Sequence, residues 1–280
     1  MGKVVDPDLI QEALSGIQPN ESEPTTKEDI QAIHDAWAQN PDAVPEDEHN
    51  ENCLRHNYYK TERGDWESLP CPVCEHRDMI AKLRSKMQSA GVTPRYLDVR
   101  FADLEKVDPV TRIQKACSRE KIRTIHESGQ CLLLSGPPGG GKTQLATLIA
   151  KHAILYGYSA SVINLGALCV SIRDSYSRSD DEKAVTESGV VESLGNIDFL
   201  VLDDLGAGES DNAKVERRVL YLASERRQNN KKPTIITTNL TQGELTKSIG
   251  VRILNRFMPL TVINVNHGRN FRVKMGEDLW

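Results

Sequence analysis

The sequence predicts an α/β protein built on a parallel sheet whose strands deliver polar residues at their carboxyl ends, with a smaller module in front. Three observations carry this. The apolar run Cys131-Leu132-Leu133-Leu134 leads into a glycine-rich turn, and Phe199-Leu200-Val201-Leu202 ends in two carboxylates. A third run, Thr234-Ile235-Ile236-Thr237-Thr238, ends in the amide of Asn239. Short apolar runs without alternation suit strands covered on both faces, and such sheets collect their working side chains at the carboxyl edge.

Length and composition set the frame. A chain of 280 residues accommodates one good-sized domain plus a smaller appendage. With 38% hydrophobic and 27% charged residues, it reads as globular with exposed polar segments. No stretch approaches the roughly 18 apolar residues of a membrane span. The start, MGKVVDPDLI, lacks a secretory pattern, and Asp6 stands where a myristoylation signal wants Ser or Thr. The expected location is therefore the cytoplasm, with no membrane partner. The net charge of −5 is unevenly spread: residues 1–50 hold 12 acidic and 2 basic side chains, leaving 28 acidic and 33 basic for the rest. The organisation expected is an acidic, partly helical arm at 1–50, a metal module at 51–80, a linker leading into the main domain at 81–108, and the main domain at 109–280.

Within the arm, Asp8 to Ile17 and Thr26 to Gln39 carry apolar residues at helical spacing, the second through Ile30, Ile33 and Trp37. Thr26 with Asp29 has the form of a helix N-terminus. The arm reads either as a solvated tail or as a partner-docking segment. After it, Cys53-x2-His56 and Cys71-x2-Cys74 place two ligand pairs around a loop, the spacing of a closed, structural zinc site. His76 and His49 are spare ligands should His56 not bind. Cys117, Cys131 and Cys169 are isolated among apolar neighbours and read as buried small residues.

The turn after the first strand is Gly136-Pro137-Pro138-Gly139-Gly140-Gly141-Lys142-Thr143, which satisfies G-x-x-x-x-G-K-[ST] at every fixed position. Glycines let backbone N–H groups close around a triphosphate, Lys142 meets the β- and γ-phosphates, and the Thr143 hydroxyl ligates magnesium. The residues after it, Gln144 to Tyr156, continue as a helix with Leu145, Leu148, Ile149 and Leu155 on its apolar side, so its dipole also favours the phosphates. Asp203, ending the second strand, would hold magnesium through its water shell, and Asp204 would orient or deprotonate the attacking water. Asn212 to Asn229 reads as a helix with Val215, Val219, Leu220 and Leu222 inward. Asn239 ends the third strand where an amide can face the γ-phosphate, and Leu260 to Val265 reads as the last strand.

Taken together, GPPGGGKT, the strand ending Asp203-Asp204, the strand ending in Asn239 and the downstream arginines resemble the AAA+ superfamily. Their arrangement resembles the DnaC-type helicase loaders, related to the initiator DnaA and the transposition helper IstB. The resemblance runs from about Val92 to Lys274. It implies a P-loop NTPase three-layer sandwich with a parallel sheet, preceded by the small helical and zinc-binding module. It further implies that Asn239 is sensor 1, that Arg256 in Gly250-Val251-Arg252-Ile253-Leu254-Asn255-Arg256-Phe257 is an arginine finger acting on a neighbouring subunit, and that Arg272 is sensor 2. From the same resemblance, Arg173, Tyr176 and Arg178 stand on or near a helix that contacts single-stranded DNA. The implied activity is ATP hydrolysis with Mg2+. The implied partners are a DnaB-like replicative helicase, single-stranded DNA and copies of the chain itself in a ring or spiral. The sequence departs from the loaders in one respect: Asp204 stands where they often have Glu, which leaves a non-hydrolysing ATP-dependent adaptor as an alternative. An IstB-like transposition helper shares the same motor. A small-molecule kinase would need a phosphoacceptor pocket that nothing in the sequence specifies.

Overall fold

The computed structural model describes residues 27–44, 49, 59–60, 66–67, 71–176, 186–206 and 213–266. The chain divides into two compact units, 1–80 and 81–280. The Asp8 to Ile17 pattern, Cys53, His56, Arg178 and Arg272 lie outside the described residues.

In the first unit, α1 (Lys27–Trp37) realises the helical pattern around Ile33 and Trp37. A short antiparallel pair follows, β1 (Tyr59–Lys60) and β2 (Trp66–Glu67). Helix α2 (Pro72–Ser89) begins at the second cysteine pair and runs across the division. Trp37, Cys71, Val73 and Cys74 form a small buried cluster, with Ile33 and Val44 packed against it.

The second unit continues with the one-turn helix α3 (Pro94–Leu97), then α4 (Asp108–Ala116) and α5 (Arg119–Ser128). Strand β3 (Cys131–Ser135) leads into α6 (Lys142–Leu155), then β4 (Ala160–Asn164) and α7 (Leu165–Tyr176). Next come α8 (Glu187–Asn196), β5 (Phe199–Asp203) and α9 (Ala213–Asn229), followed by β6 (Thr234–Thr238). Helices α10 (Gln242–Ile249) and α11 (Val251–Arg256) precede β7 (Leu260–Asn264). Start and stop signals are local. Ser118 accepts from the Lys121 amide to open α5, Gly129 closes it in the left-handed region, and Thr241 with Glu244 forms a reciprocal capping box on α10.

The five long strands pair in the order β4-β5-β6-β3-β7, all parallel. Because strand side chains alternate, each strand feeds two cores. Leu133, Leu200, Leu202 and Ile236 join one core with residues of α7 to α11, while Leu134, Val201, Ile235 and Ile263 join the other with α4, α5 and α6. Helices thus cover both faces of the sheet, and the strands' carboxyl ends share one edge. Leu155 and Leu222, expected inside, are 49% and 39% exposed: the first ends α6, and the second is rotated off the face that Val219, Leu220 and Ala223 bury. Cys117, Cys131 and Cys169 are buried, and burial pushes the Cys117 thiol up to about 12. Among the described residues, no helix is long and apolar enough to cross a membrane.

A polar network closes the amino edge of the sheet, away from the P-loop. Asp198 accepts from the Ser159 amide (3.0 Å) and hydroxyl (2.8 Å), meets His126 at 3.1 Å and pairs with Lys232. Burial alone would raise its pKa, but Lys232, Ser159 and His126 together outweigh that and hold the carboxyl well below the usual carboxylate range. A carboxylate with a depressed folded-state pKa stabilises above its unfolded pKa, and loses that contribution as pH falls toward the folded value. Asp198→Asn is therefore expected to cost about 1–3 kcal/mol at neutral pH, with the difference from wild type shrinking below about pH 4. Urea midpoints followed from neutral to acid pH check this, and a pH-independent difference would contradict it.

Candidate nucleotide site and metal site

The glycine-rich turn lies flat against the end of β7. A Cβ on Gly136 or Gly140 would stand 2.6 or 2.7 Å from the Val265 carbonyl oxygen, so neither position admits a side chain without the loop moving. The Val265 amide in turn donates to the Ser135 carbonyl at 2.7 Å. Helix α6 starts at Lys142, so its first amides open toward the loop, the arrangement that binds phosphate. Pro138, Gly139, Gly140, Gly141, Lys142 and Thr143 line a cleft of about 470 Å³ together with Asp203, Asp204, Thr237 and Asn239.

One hydrogen-bonded chain ties the strand ends together. Lys142 Nζ donates to the carbonyls of Gly136 and Pro137, both at 2.8 Å, and to Asn239 Oδ1 at 2.7 Å. Asn239 Nδ2 donates to Asp204 Oδ1 at 2.8 Å. The Asp204 amide donates to Thr237 Oγ1 at 2.8 Å, and that hydroxyl donates to Asp203 Oδ1 at 2.7 Å. Asp204 has φ 56°, a left-handed conformation uncommon outside glycine though tolerated by Asp, which turns the chain sharply after β5. Sequence reasoning placed Asp203, Asp204 and Asn239 individually but missed Thr237. The available signal was weak, a threonine near the end of a buried strand that carries two others.

The donor set suits a magnesium nucleotide. Lys142 and the helix amides offer positive and N–H groups to phosphate, and Thr143 and Asp203 offer hard oxygens to magnesium. Arg256 takes no part in this cleft. It ends α11, just before β7 starts at the opposite edge of the sheet, a strand length of roughly 15 Å away. There it bonds Glu225 at 2.8 Å and Gln228 at 3.1 Å and lies over the Tyr221 ring at 5.6 Å. Arg173 and Tyr176 fall in α7 by backbone.

In the first unit, His49, Cys71 and Cys74 converge, all buried, with ligand atoms within 4.8 Å of one another. His49 Nε2 is 3.5 Å from Cys71 Sγ and 3.3 Å from Cys74 Sγ. A tetrahedral zinc with bonds of about 2.0–2.3 Å sets its ligands roughly 3.3–3.8 Å apart, and both distances from His49 to the sulfurs match that spacing. Of the two spare histidines, His49 is brought to the cysteines, while His76 meets Asp42 at 2.8 Å. The His34 ring stacks on Trp37 at 5.3 Å, and Trp37 lies 5.7 Å from His49, which packs the site against α1.

A P-loop at the carboxyl edge of a β4-β5-β6-β3-β7 parallel sheet, flanked by the strand-end acids and amide, defines a nucleotide-binding protein of the AAA+ P-loop class. Residues 101–260, more than half the chain, match the model of the IstB-like ATP binding proteins, and the chain belongs to that family. It is 26% identical over 184 residues to the replicative helicase loader DnaC of Escherichia coli strain K12, covering 65% of this chain and 72% of that one. Its fold is similar to the crystal structure of the DnaC helicase loader (24% identity, TM-score 0.50, 61% of this chain and 99% of that one). It is also similar to the crystal structure of DnaI (21% identity, TM-score 0.50, 67% of this chain and 100% of that one).

Proposed function

We propose that this chain is an ATPase that loads a DnaB-like replicative helicase onto single-stranded DNA in the cytoplasm. Similarity to proteins named replicative helicase loader supports the biological role. The observation that carries the motor reading is the unbroken chain from Lys142 through Asn239 to Asp204, beside Thr237 and Asp203. In this reading Lys142 leaves its loop carbonyls for the β- and γ-phosphates, and Thr143 and Asp203 hold magnesium, with Thr237 fixing the Asp203 carboxylate. When bound, the metal supplies charge neutralisation to the phosphates. Asp204 aligns a water for attack on the γ-phosphorus and takes its proton, while the bond from that phosphorus to the β–γ bridging oxygen breaks and ADP departs. Asn239 keeps Asp204 turned toward that water.

Arg256 lies at the wrong edge to serve its own cleft and serves a neighbour's in a ring or spiral, with Arg272 as the sensor 2 group. Arg256→Ala is expected to leave ATP affinity of the isolated chain unchanged and to slow assembled-state turnover by about 10³-fold. Phosphate release measured above and below the assembly concentration tests it, and unchanged turnover in the assembly rejects the finger. Arg173, Tyr176 and Arg178 contact the strand of DNA, and the first unit docks the helicase.

Zinc on His49, Cys71, Cys74 and a fourth ligand from Cys53 or His56 ties the start of α2 to α1, beside the small cluster of Trp37, Cys71, Val73 and Cys74. Chelation is expected to release one zinc per chain and to expose Trp37, a change seen in metal content and Trp emission. A metal-free preparation with the same emission spectrum rules the site out.

The match to the IstB-like ATP binding proteins keeps a second reading in play, a transposition helper with the same motor. Affinity capture with the full chain separates the two: a hexameric helicase retained in an ATP-dependent manner supports the loader, and a transposase retained in its place overturns it.

A further inference from the structure

A single amine gathers the backbone beside the nucleotide cleft. Lys151, further along α6 than the P-loop lysine, donates Nζ hydrogens to the carbonyls of Tyr96 (2.9 Å), Leu97 (2.6 Å) and Val99 (2.7 Å). An ammonium has three N–H donors, so this clasp uses all of them. The clasp has a clear physical need. Helix α3 is a single turn, too short to satisfy its own last carbonyls, and the chain beyond it is extended at Arg100. Burial lowers the pKa of Lys151, while the nearby Asp98 carboxylate favours the charged form and is itself paired with Arg84.

The clasped segment faces the cleft. Arg95, Tyr96 and Val99 line it, as do Leu104 and Val110 and the acids Asp103 and Glu105, alongside the loop and strand ends that suit phosphates. The Arg95 guanidinium lies over the Tyr96 ring at 4.8 Å, making a flat, cationic and aromatic surface at the cleft wall. Phosphates on the P-loop leave the nucleoside to meet this wall, which mixes apolar, aromatic and charged side chains.

We propose that Lys151 is a positioning residue for the nucleoside: by clasping the carbonyls of Tyr96, Leu97 and Val99 it fixes the wall against which the base packs. It touches neither phosphate nor magnesium. The inference rests on the nucleotide reading of the cleft and adds to it a residue with no place in the P-loop pattern. Lys151 controls affinity for the base and sugar and leaves triphosphate recognition alone.

The test compares two probes on the full chain by calorimetry, ATP and inorganic tripolyphosphate, each with magnesium. Wild type is expected to bind both, ATP more tightly. Lys151→Met keeps the aliphatic stem and removes the donors. It is expected to weaken ATP by about tenfold while moving tripolyphosphate less than about twofold, with Lys151→Arg recovering ATP affinity. Lys151→Gln, which keeps a donor, gives an intermediate ATP affinity and serves in its place if the Met variant does not fold. Equal losses for both probes, or an unchanged ATP affinity, overturn the positioning role. A wild-type protein that binds tripolyphosphate and ATP equally removes the nucleoside wall while sparing the P-loop. One that binds neither overturns the cleft reading and this inference with it.

Discussion

Lys142→Ala is expected to weaken magnesium-ATP binding at least about 100-fold, roughly 3 kcal/mol, with little change in folding. The reason is geometric as well as electrostatic. The amine already bonds two loop carbonyls and Asn239, so its loss removes the group linking the P-loop to the end of β6 as well as a phosphate contact. Asp204→Asn is the informative contrast, since it preserves size and leaves Asn239 a partner but has no basic oxygen for the proton of water. Binding should survive in that variant while phosphate release drops by about 10²–10⁴-fold. Calorimetry with ATP and a phosphate-release assay separate the two effects. Full ATP affinity in Lys142→Ala would falsify the motor assignment.

The second large effect concerns folding. Arg227→Leu is expected to destabilise the ATPase unit by about 3–5 kcal/mol, the cost of orphaning buried polar groups. Arg227 is 1% exposed, yet it donates to the carbonyls of Leu194, Ile197, Asp198 and Pro233 and to Thr234 Oγ1. Those acceptors belong to the end of α8 and the approaches to β5 and β6, and the Pro233 carbonyl also accepts from the Leu200 amide of β5 at 3.4 Å. Burial lowers the guanidinium pKa to about 10, which leaves it charged at neutral pH. Lysine, with three donors and no planar fork, would recover only part of the loss. Chemical denaturation of the three proteins decides it, and a Leu variant as stable as wild type would show that water replaces the arginine.

Lys142 and Arg227 differ in how much of their role lies within a few residues of sequence. Lys142 was legible because its chemistry is local: the glycines, the lysine and the hydroxyl sit within one turn, and backbone geometry alone brings them to a phosphate. Asp203 and Asp204 were legible for a related reason, since an apolar strand that stops at two acids must present them at its end. Arg227 looked like one of several charged residues on a polar helix, and its partners come from three separate elements. Thr237 was equally opaque, because a threonine in a strand has ordinary β propensity and only pairing β5 beside β6 turns its hydroxyl toward Asp203.

The sequence by itself determined the P-loop, the acids and amide at the strand ends, and a parallel sheet covered on both sides, because each depends on periodicity or on contacts within a few residues. The tertiary structure alone decided the strand order, the relay from Lys142 to Asp203, the remoteness of Arg256 from its own cleft, the arrival of His49 beside Cys71 and Cys74, and the clasp of Lys151 on α3. Those depend on which distant segments meet, and hydrogen-bond partners far apart in the chain leave no periodic trace in either segment.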